Sequence, residues 1–190
     1  MVLGNNWLSM RHFTTAAYLN DIYMGQQQFP ICDTNIITNG LLENMESCAI
    51  FASTLKRSVQ TVEFVMSKYN ATNFEISYFD ELIERGLGDF EGKNKKIVKQ
   101  NSEYFINGKL VVTKTPPNGE SLADLRRRVD SILWNLMDKI KEKNILVVSH
   151  LQTLRMIKFC MENSYDYDKW HEINYSHGEV VKENYGEKQQ

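Results

Sequence analysis

An arginine and a histidine, Arg11-His12, close the short apolar run Trp7-Leu8-Ser9-Met10. A guanidinium beside an imidazole sets a fixed cation next to a nucleophile, a pairing suited to attack on a phosphate. His150 closes a second apolar run, Ile145-Leu146-Val147-Val148-Ser149. Two buried-type strands that each end in histidine bring both rings to one edge of a sheet, where open α/β folds bind ligands. Arg57 follows Phe51–Lys56, where a strand should give way to a helix. Two arginines and two histidines then converge on one anion, and guanidinium forks match phosphate oxygens in shape and charge. Thr14 and Thr15 stand where the first helix begins, as a cap, as further donors to the same anion, or as both, since a cap exposes the same turn of N–H groups.

Blander readings compete. Either histidine alone reads as a structural residue, and only the paired strand-end placement favours a site. Zinc lacks support, because no HxxxH, HxH or cysteine partner accompanies the pair, so no metal is expected. His171 and His177 lie in a polar C-terminal stretch and read as surface or structural residues.

The elements that must position these groups alternate between strand-like and helix-like periodicity, which predicts an α/β fold with layered helices. Strands are expected at Trp7–His12, Ile50–Ser53, Phe74–Phe79, Ile145–Ser149 and near Glu179–Tyr185, with the β-branched Ile145–Ser149 as a central parallel strand. Helices are expected at Ala16–Tyr23, along Val59, Val62, Val65, Met66 and Tyr69, and at Thr153–Met161. The clearest helix runs from Leu122 to Lys141, with an apolar stripe from Leu125 through Val129, Ile132 and Leu136. Ser121 and Asp124 have capping-box spacing at its start. The polar segment at about 93–118 reads as a lid-like insertion, and the Glu183–Gln190 tail as a frayed end.

At 190 residues, 42% hydrophobic and 24% charged, the chain is expected to form a single domain over 1–190. A net charge of −2 with no basic block excludes a nucleic-acid footprint, and Lys93-Asn94-Lys95-Lys96 reads as a solvated helix face. No apolar stretch reaches membrane-spanning length, and the N-terminus lacks a secretory signal. Cys32, Cys48 and Cys160 are odd in number, form no CxxC pair, and read as small core residues in a reducing, cytoplasmic setting. A homo-oligomer is compatible with this composition.

Arg11-His12-Phe13-Thr14-Thr15 resembles the RHGxT signature of the histidine phosphatase superfamily, the phosphoglycerate mutase-like family. Further blocks follow in the family's order. Tyr23-Met24-Gly25-Gln26 with Pro30-Ile31 resembles the substrate-side segment, and Phe51–Thr61 resembles the SSPLxRAxQTA block. Glu84–Gly92 is similar to ERxxGxxEG, Pro117–Ser121 to PGGES, and Val147–His150 to the second histidine block. The resemblance implies a three-layer sandwich with a mostly parallel central sheet. It also implies that His12 is a nucleophile forming a phosphohistidine, and that Arg11, Arg57 and His150 bind the phosphoryl oxygens, with Thr15 as the further donor read from the helix start. Glu84 would be the acid-base residue, and Gly25, Gln26, Leu151 and Gln152 would face the substrate, with no cofactor required.

The implied reaction is hydrolysis of a small phosphate monoester. A phosphoglycerate-type mutase and a non-catalytic phosphate-binding protein are the alternatives. Three departures stand out: Phe13 replaces a glycine, Tyr18 an asparagine, and Leu151-Gln152 a glycine-containing pair.

Overall fold

The computed structural model describes residues 5–43, 47–69 and 73–184. Five strands form one sheet: β1 (Trp7–Arg11), β2 (Cys48–Ser53), β3 (Phe74–Phe79), β6 (Asn144–Ser149) and β7 (Val180–Lys182), in the order β3-β2-β6-β1-β7. β1, β6, β2 and β3 are parallel, and β7 pairs antiparallel with β1 at one edge. A second, two-stranded sheet joins β4 (Phe105–Ile106) to β5 (Lys109–Leu110). The helices are α1 (Ala16–Leu19), α2 (Lys56–Lys68), α3 (Lys95–Val98), α4 (Leu122–Lys139) and α5 (Leu151–Met161). None of them is long and apolar enough to cross a membrane, among the described residues.

Alternation along the strands divides the core into two layers, because successive strand side chains point to opposite faces. Trp7, Phe51, Ile145 and Val147 face α4 and α5, where Leu125, Val129, Ile132, Leu136, Leu154 and Ile157 meet them. Leu8, Met10, Ile50, Leu146 and Val148 face α2, meeting Val62 and Val65. β6, buried on both faces, is therefore a continuous apolar run, as a central parallel strand must be. Ser121 caps α4 as its spacing predicts, its hydroxyl accepting from the Asp124 N–H at 3.0 Å.

Several boundaries differ from the sequence reading. α1 stops at Leu19 rather than Tyr23, because Asp21 turns left-handed at φ 55° and closes the turn. α5 begins at Leu151 rather than Thr153, with His150 itself as the extended N-cap residue. β7 ends at Lys182, and Glu183 does not fray. Glu183 is buried and accepts the Tyr175 hydroxyl at 2.7 Å. The remainder of the expected tail, and Tyr185 of the expected strand, lie outside the described residues. Cys48 and Cys160 are buried, but Cys32 is exposed.

The 93–118 segment carries α3 and the β4–β5 hairpin. Its Asn107-Gly108 turn has φ of 49° and 72°, the left-handed pair that a two-residue hairpin loop requires. Val98 and Phe105 of this segment pack with Leu87, Phe90 and Tyr23 into a small cluster of their own. The segment is thus anchored beside the loop that follows α1, through Tyr23 N–H to the Lys93 carbonyl at 3.0 Å.

Candidate active site

The register of β1 against β6 pairs Arg11 with Ser149, so the next residues in each strand, His12 and His150, emerge level with one another. Their ring centroids lie 5.0 Å apart, and both side chains are buried. The His12 Nδ1–H donates to the Phe13 carbonyl at 2.6 Å, which leaves Nε2 as the unprotonated atom. His150 is held in the opposite sense. Its Nε2–H donates to the Ser53 hydroxyl at 2.7 Å, which leaves Nδ1 as the acceptor towards Arg57.

Arg57 links the two rings. Its Nε–H points at His12 Nε2 and at His150 Nδ1, each at 3.2 Å. The far edge of the guanidinium is tied to backbone carbonyls, Gln27 at 2.8 Å and Gly25 at 2.7 Å, so the cation cannot swing away. Burial, then the neighbouring Arg57 charge, holds both imidazoles well below their ordinary pKa. Both rings are therefore neutral at physiological pH, the state in which an imidazole nitrogen can attack. Burial also brings Arg57 and Arg11 down to about 10, which leaves each charged. Arg11 donates to the Tyr175 carbonyl at 3.1 Å, while its buried Nε has no partner.

Glu84 faces the same cluster, since its charge holds up the pKa of Arg11, Arg57 and Arg155 against burial. Its carboxylate accepts the Arg85 N–H at 2.9 Å and the Gln152 N–H at 3.2 Å, in the first turn of α5. Hydroxyls at the end of β6 and the start of α5 fix the preceding loop, Ser149 donating to the Leu82 carbonyl and Thr153 to that of Ile83. Gln26 ties the loop from the other side, its side-chain amide donating to the Glu84 carbonyl at 3.0 Å. Gly25 has φ 46°, and an added Cβ would lie 1.9 Å from a Glu91 carboxylate oxygen, so only glycine fits. That carboxylate accepts the N–H groups of Gln26 and Leu87, joining the two loops.

The expected residues thus separate into two groups. Arg11, His12, Arg57 and His150 come together, with Glu84 beside them. Gly25, Gln26 and the Gln152 backbone instead support Arg57 and Glu84. Leu151 and Gln152 line a cavity of about 300 Å³ together with Lys95, Lys99, Lys109 and Arg155. Thr15 acts as the cap of α1: its hydroxyl accepts the Tyr18 N–H and donates to Met24 sulfur at 3.0 Å. Phe13 does not narrow the site. It is buried, its ring meeting Phe64 edge-on at 5.1 Å on the α2 face of the sheet.

Two residues escaped the sequence reading. His177, read as surface or structural, is half-buried beside the nucleophile: its ring lies 5.1 Å from His12 and 4.2 Å from Tyr18, and its Nε2 is buried without a partner. Burial, then Arg11, Lys95 and Arg57, pushes its pKa down to about 3. Lys95 is not part of a solvated face. It is half-buried, with Nζ 4.8 Å from the centre of the Tyr18 ring. Neither carries a local sequence signal, because both reach the site from loop-bounded segments far along the chain.

Comparison with known proteins follows the same lines. The family model described as the histidine phosphatase superfamily (branch 1) matches residues 9–190. A 2,3-bisphosphoglycerate-dependent phosphoglycerate mutase of Cytophaga hutchinsonii is 32% identical over 116 residues, 59% of this chain and 54% of that protein. The chain spans about half the length of the first curated relatives it matches. Among solved structures, a mycobacterial glucosyl-3-phosphoglycerate phosphatase in complex with VO3 superposes with a TM-score of 0.74 at 15% identity, covering 91% of this chain and 87% of that one. A putative α-ribazole-5′-P phosphatase from Escherichia coli K-12 gives 0.68 at 21% identity, covering 88% and 84%. Both structures share the three-layer, mostly parallel fold.

Proposed function

The chain belongs to the histidine phosphatase superfamily, and on that premise we propose that it hydrolyses a small phosphate monoester through a phosphohistidine at His12. One observation carries the proposal: an unprotonated His12 Nε2 held beside His150 by the Nε–H of a buried, immobilised Arg57. In the first step the Nε2 lone pair forms a bond to phosphorus, and the bond from phosphorus to the leaving oxygen breaks. Glu84 gives that oxygen its proton. In the second step water attacks phosphorus, Glu84 takes the water's proton, the P–N bond breaks, and inorganic phosphate leaves.

Arg11 and Arg57 supply charge to the phosphoryl oxygens throughout, in a site whose groups are already oriented. His150 joins them once the charge of the incoming dianion draws a proton from solvent onto its Nδ1, which then gives up its bond from Arg57 and turns to a phosphoryl oxygen. Metal is unnecessary in this scheme, and activity should persist in a chelator. The cavity lined by Lys95, Lys99, Lys109 and Arg155 suits a leaving group that carries an anionic group of its own.

A mutase would run the same first step and return the phosphoryl group to a second hydroxyl. Curated relatives named as phosphoglycerate mutases favour that alternative. Hydrolysis is preferred here because the 93–118 segment, taken as the lid, is short, and a mutase must exclude water while the phosphoryl group waits. Of the two departures that favour the non-catalytic alternative, Phe13 points into the core and no longer supports it, while Tyr18 stays beside Arg11. Inorganic phosphate release against isomer formation, measured on phosphoglycerates and other small phosphate esters, distinguishes the three outcomes. Phosphate release without isomer is expected; isomer alone would establish the mutase, and neither product would leave the binding protein.

A further inference from the structure

We propose that His177 is a third imidazole of the phosphoryl site, its Nε2–H donating to an oxygen of the bound phosphate alongside Arg11. The proposal rests on the reading above that an anion sits over His12.

Backbone contacts fix the ring in place. Residue 177 bridges Arg11, and the Gly178 N–H donates to the Arg11 carbonyl at 3.0 Å, so this loop is joined to the end of β1. Gly178 has φ 74°, and an added Cβ would lie 2.1 Å from the Asn35 carbonyl oxygen, which leaves the turn little freedom. On its two sides the imidazole meets His12 at 5.1 Å and the Tyr18 ring at 4.2 Å. Tyr18 is in turn covered by two cations, Lys95 at 4.8 Å and Arg11 at 5.7 Å.

Within this fixed frame two nitrogens lack partners. His177 Nε2 and Arg11 Nε are both buried without a hydrogen bond, and both belong to side chains clustered at the same nucleophile. Buried polar atoms are nearly always satisfied, so a pair of orphans beside one reactive ring marks where a ligand's acceptor oxygens belong. Phosphate offers such acceptors to both. A neutral imidazole also suits the position better than a lysine or arginine would. It adds a donor without adding another charge to Arg11, Arg57 and Lys95.

The test compares wild type with His177→Phe, which keeps a ring between His12 and Tyr18 but removes the donor, and His177→Asn, which restores one. Inorganic phosphate binding is measured by calorimetry, and turnover of p-nitrophenyl phosphate in parallel. His177→Phe should weaken phosphate binding by about tenfold or more, the usual loss for one hydrogen bond to a charged group. His177→Asn should recover most of that affinity. In the wild type, where folding is not at issue, the imidazole nitrogen NMR signals of His177 should shift on saturation with phosphate. Unshifted signals, or phosphate binding by a folded His177→Phe within about twofold of wild type, would overturn the assignment while leaving the wild-type activity intact. A wild type that neither binds nor hydrolyses phosphate would bring down the reading of the site, and this proposal with it.

Discussion

The strand-end floor of the site and the 93–118 segment that flanks it are built on opposite terms. His12, His150 and Arg57 are fully buried, set by sheet register and held by carbonyls that admit little adjustment. Lys99 and Lys109 are exposed, on a short segment with a small apolar cluster of its own. A floor of that rigidity can define a reaction class, because preorganised charge needs no rearrangement during the reaction. On the proposed reading, exposed lysines on long stems would instead tune which leaving group is held, and their substitution would leave the chemistry in place.

The largest effect that this contrast predicts lies in the floor. His12→Ala should lower turnover by about ten-thousandfold or more while phosphate still binds, measured by steady-state kinetics and calorimetry on the same preparation. An active His12→Ala enzyme would mean that the floor does not supply the nucleophile. Next comes Glu84→Gln, expected to slow alkyl phosphates by roughly a hundredfold and phenolic phosphates much less. Equal losses on both substrates would remove Glu84 from its acid role.

Gly25→Ala should act on the support of the floor. The strained φ and the clash with Glu91 predict a loss of about 1–3 kcal/mol in urea unfolding, together with reduced turnover as Arg57 loses its carbonyl. The smallest effect should come from the flanking segment. Lys99→Ala with Lys109→Ala should raise KM by about three- to tenfold for esters bearing a second anion, with kcat unchanged. A fall in kcat of the same size would erase the distinction between the two regions.

Acid provides a further test of the floor. His12, His150 and His177 all have pKa values depressed in the folded protein, so the unfolded chain binds protons that the folded one does not. The stability they contribute is complete above the ordinary histidine pKa of about 6.5 and is lost as pH falls towards the folded values. For His12 and His150 the slope should be shallow at neutral pH and steepen towards about 1.4 kcal/mol per pH unit each below about pH 5.5, read from urea midpoints across that range. A flat profile would mean that these rings are already charged in the fold.

The same division governs what the sequence makes legible. β6 and α4 are readable because burial imposes a continuous apolar run on one and a stripe on the other. The apolar runs of β1 and β6 likewise give the strand-end positions of His12 and His150. His177 is not readable in that way, since it arrives on a loop without periodicity and meets His12 only through tertiary packing. Glu84 is similar: an exposed-looking carboxylate in a polar stretch, singled out by the block Glu84–Gly92 and placed by Ser149 and Thr153. Thr15 is legible as a helix cap, and its hydroxyl takes that place by accepting the Tyr18 N–H, while it donates to the Met24 sulfur on the loop beyond. Tyr23 fell outside α1 because one left-handed residue, Asp21, ends the helix early.

Rapid quenching during turnover of a phosphorus-radiolabelled substrate tests the central claim most directly. Label should appear on His12, stable to base and released by acid, and should vanish in His12→Ala. Steady phosphate release with no labelled protein at any quench time would contradict the covalent route.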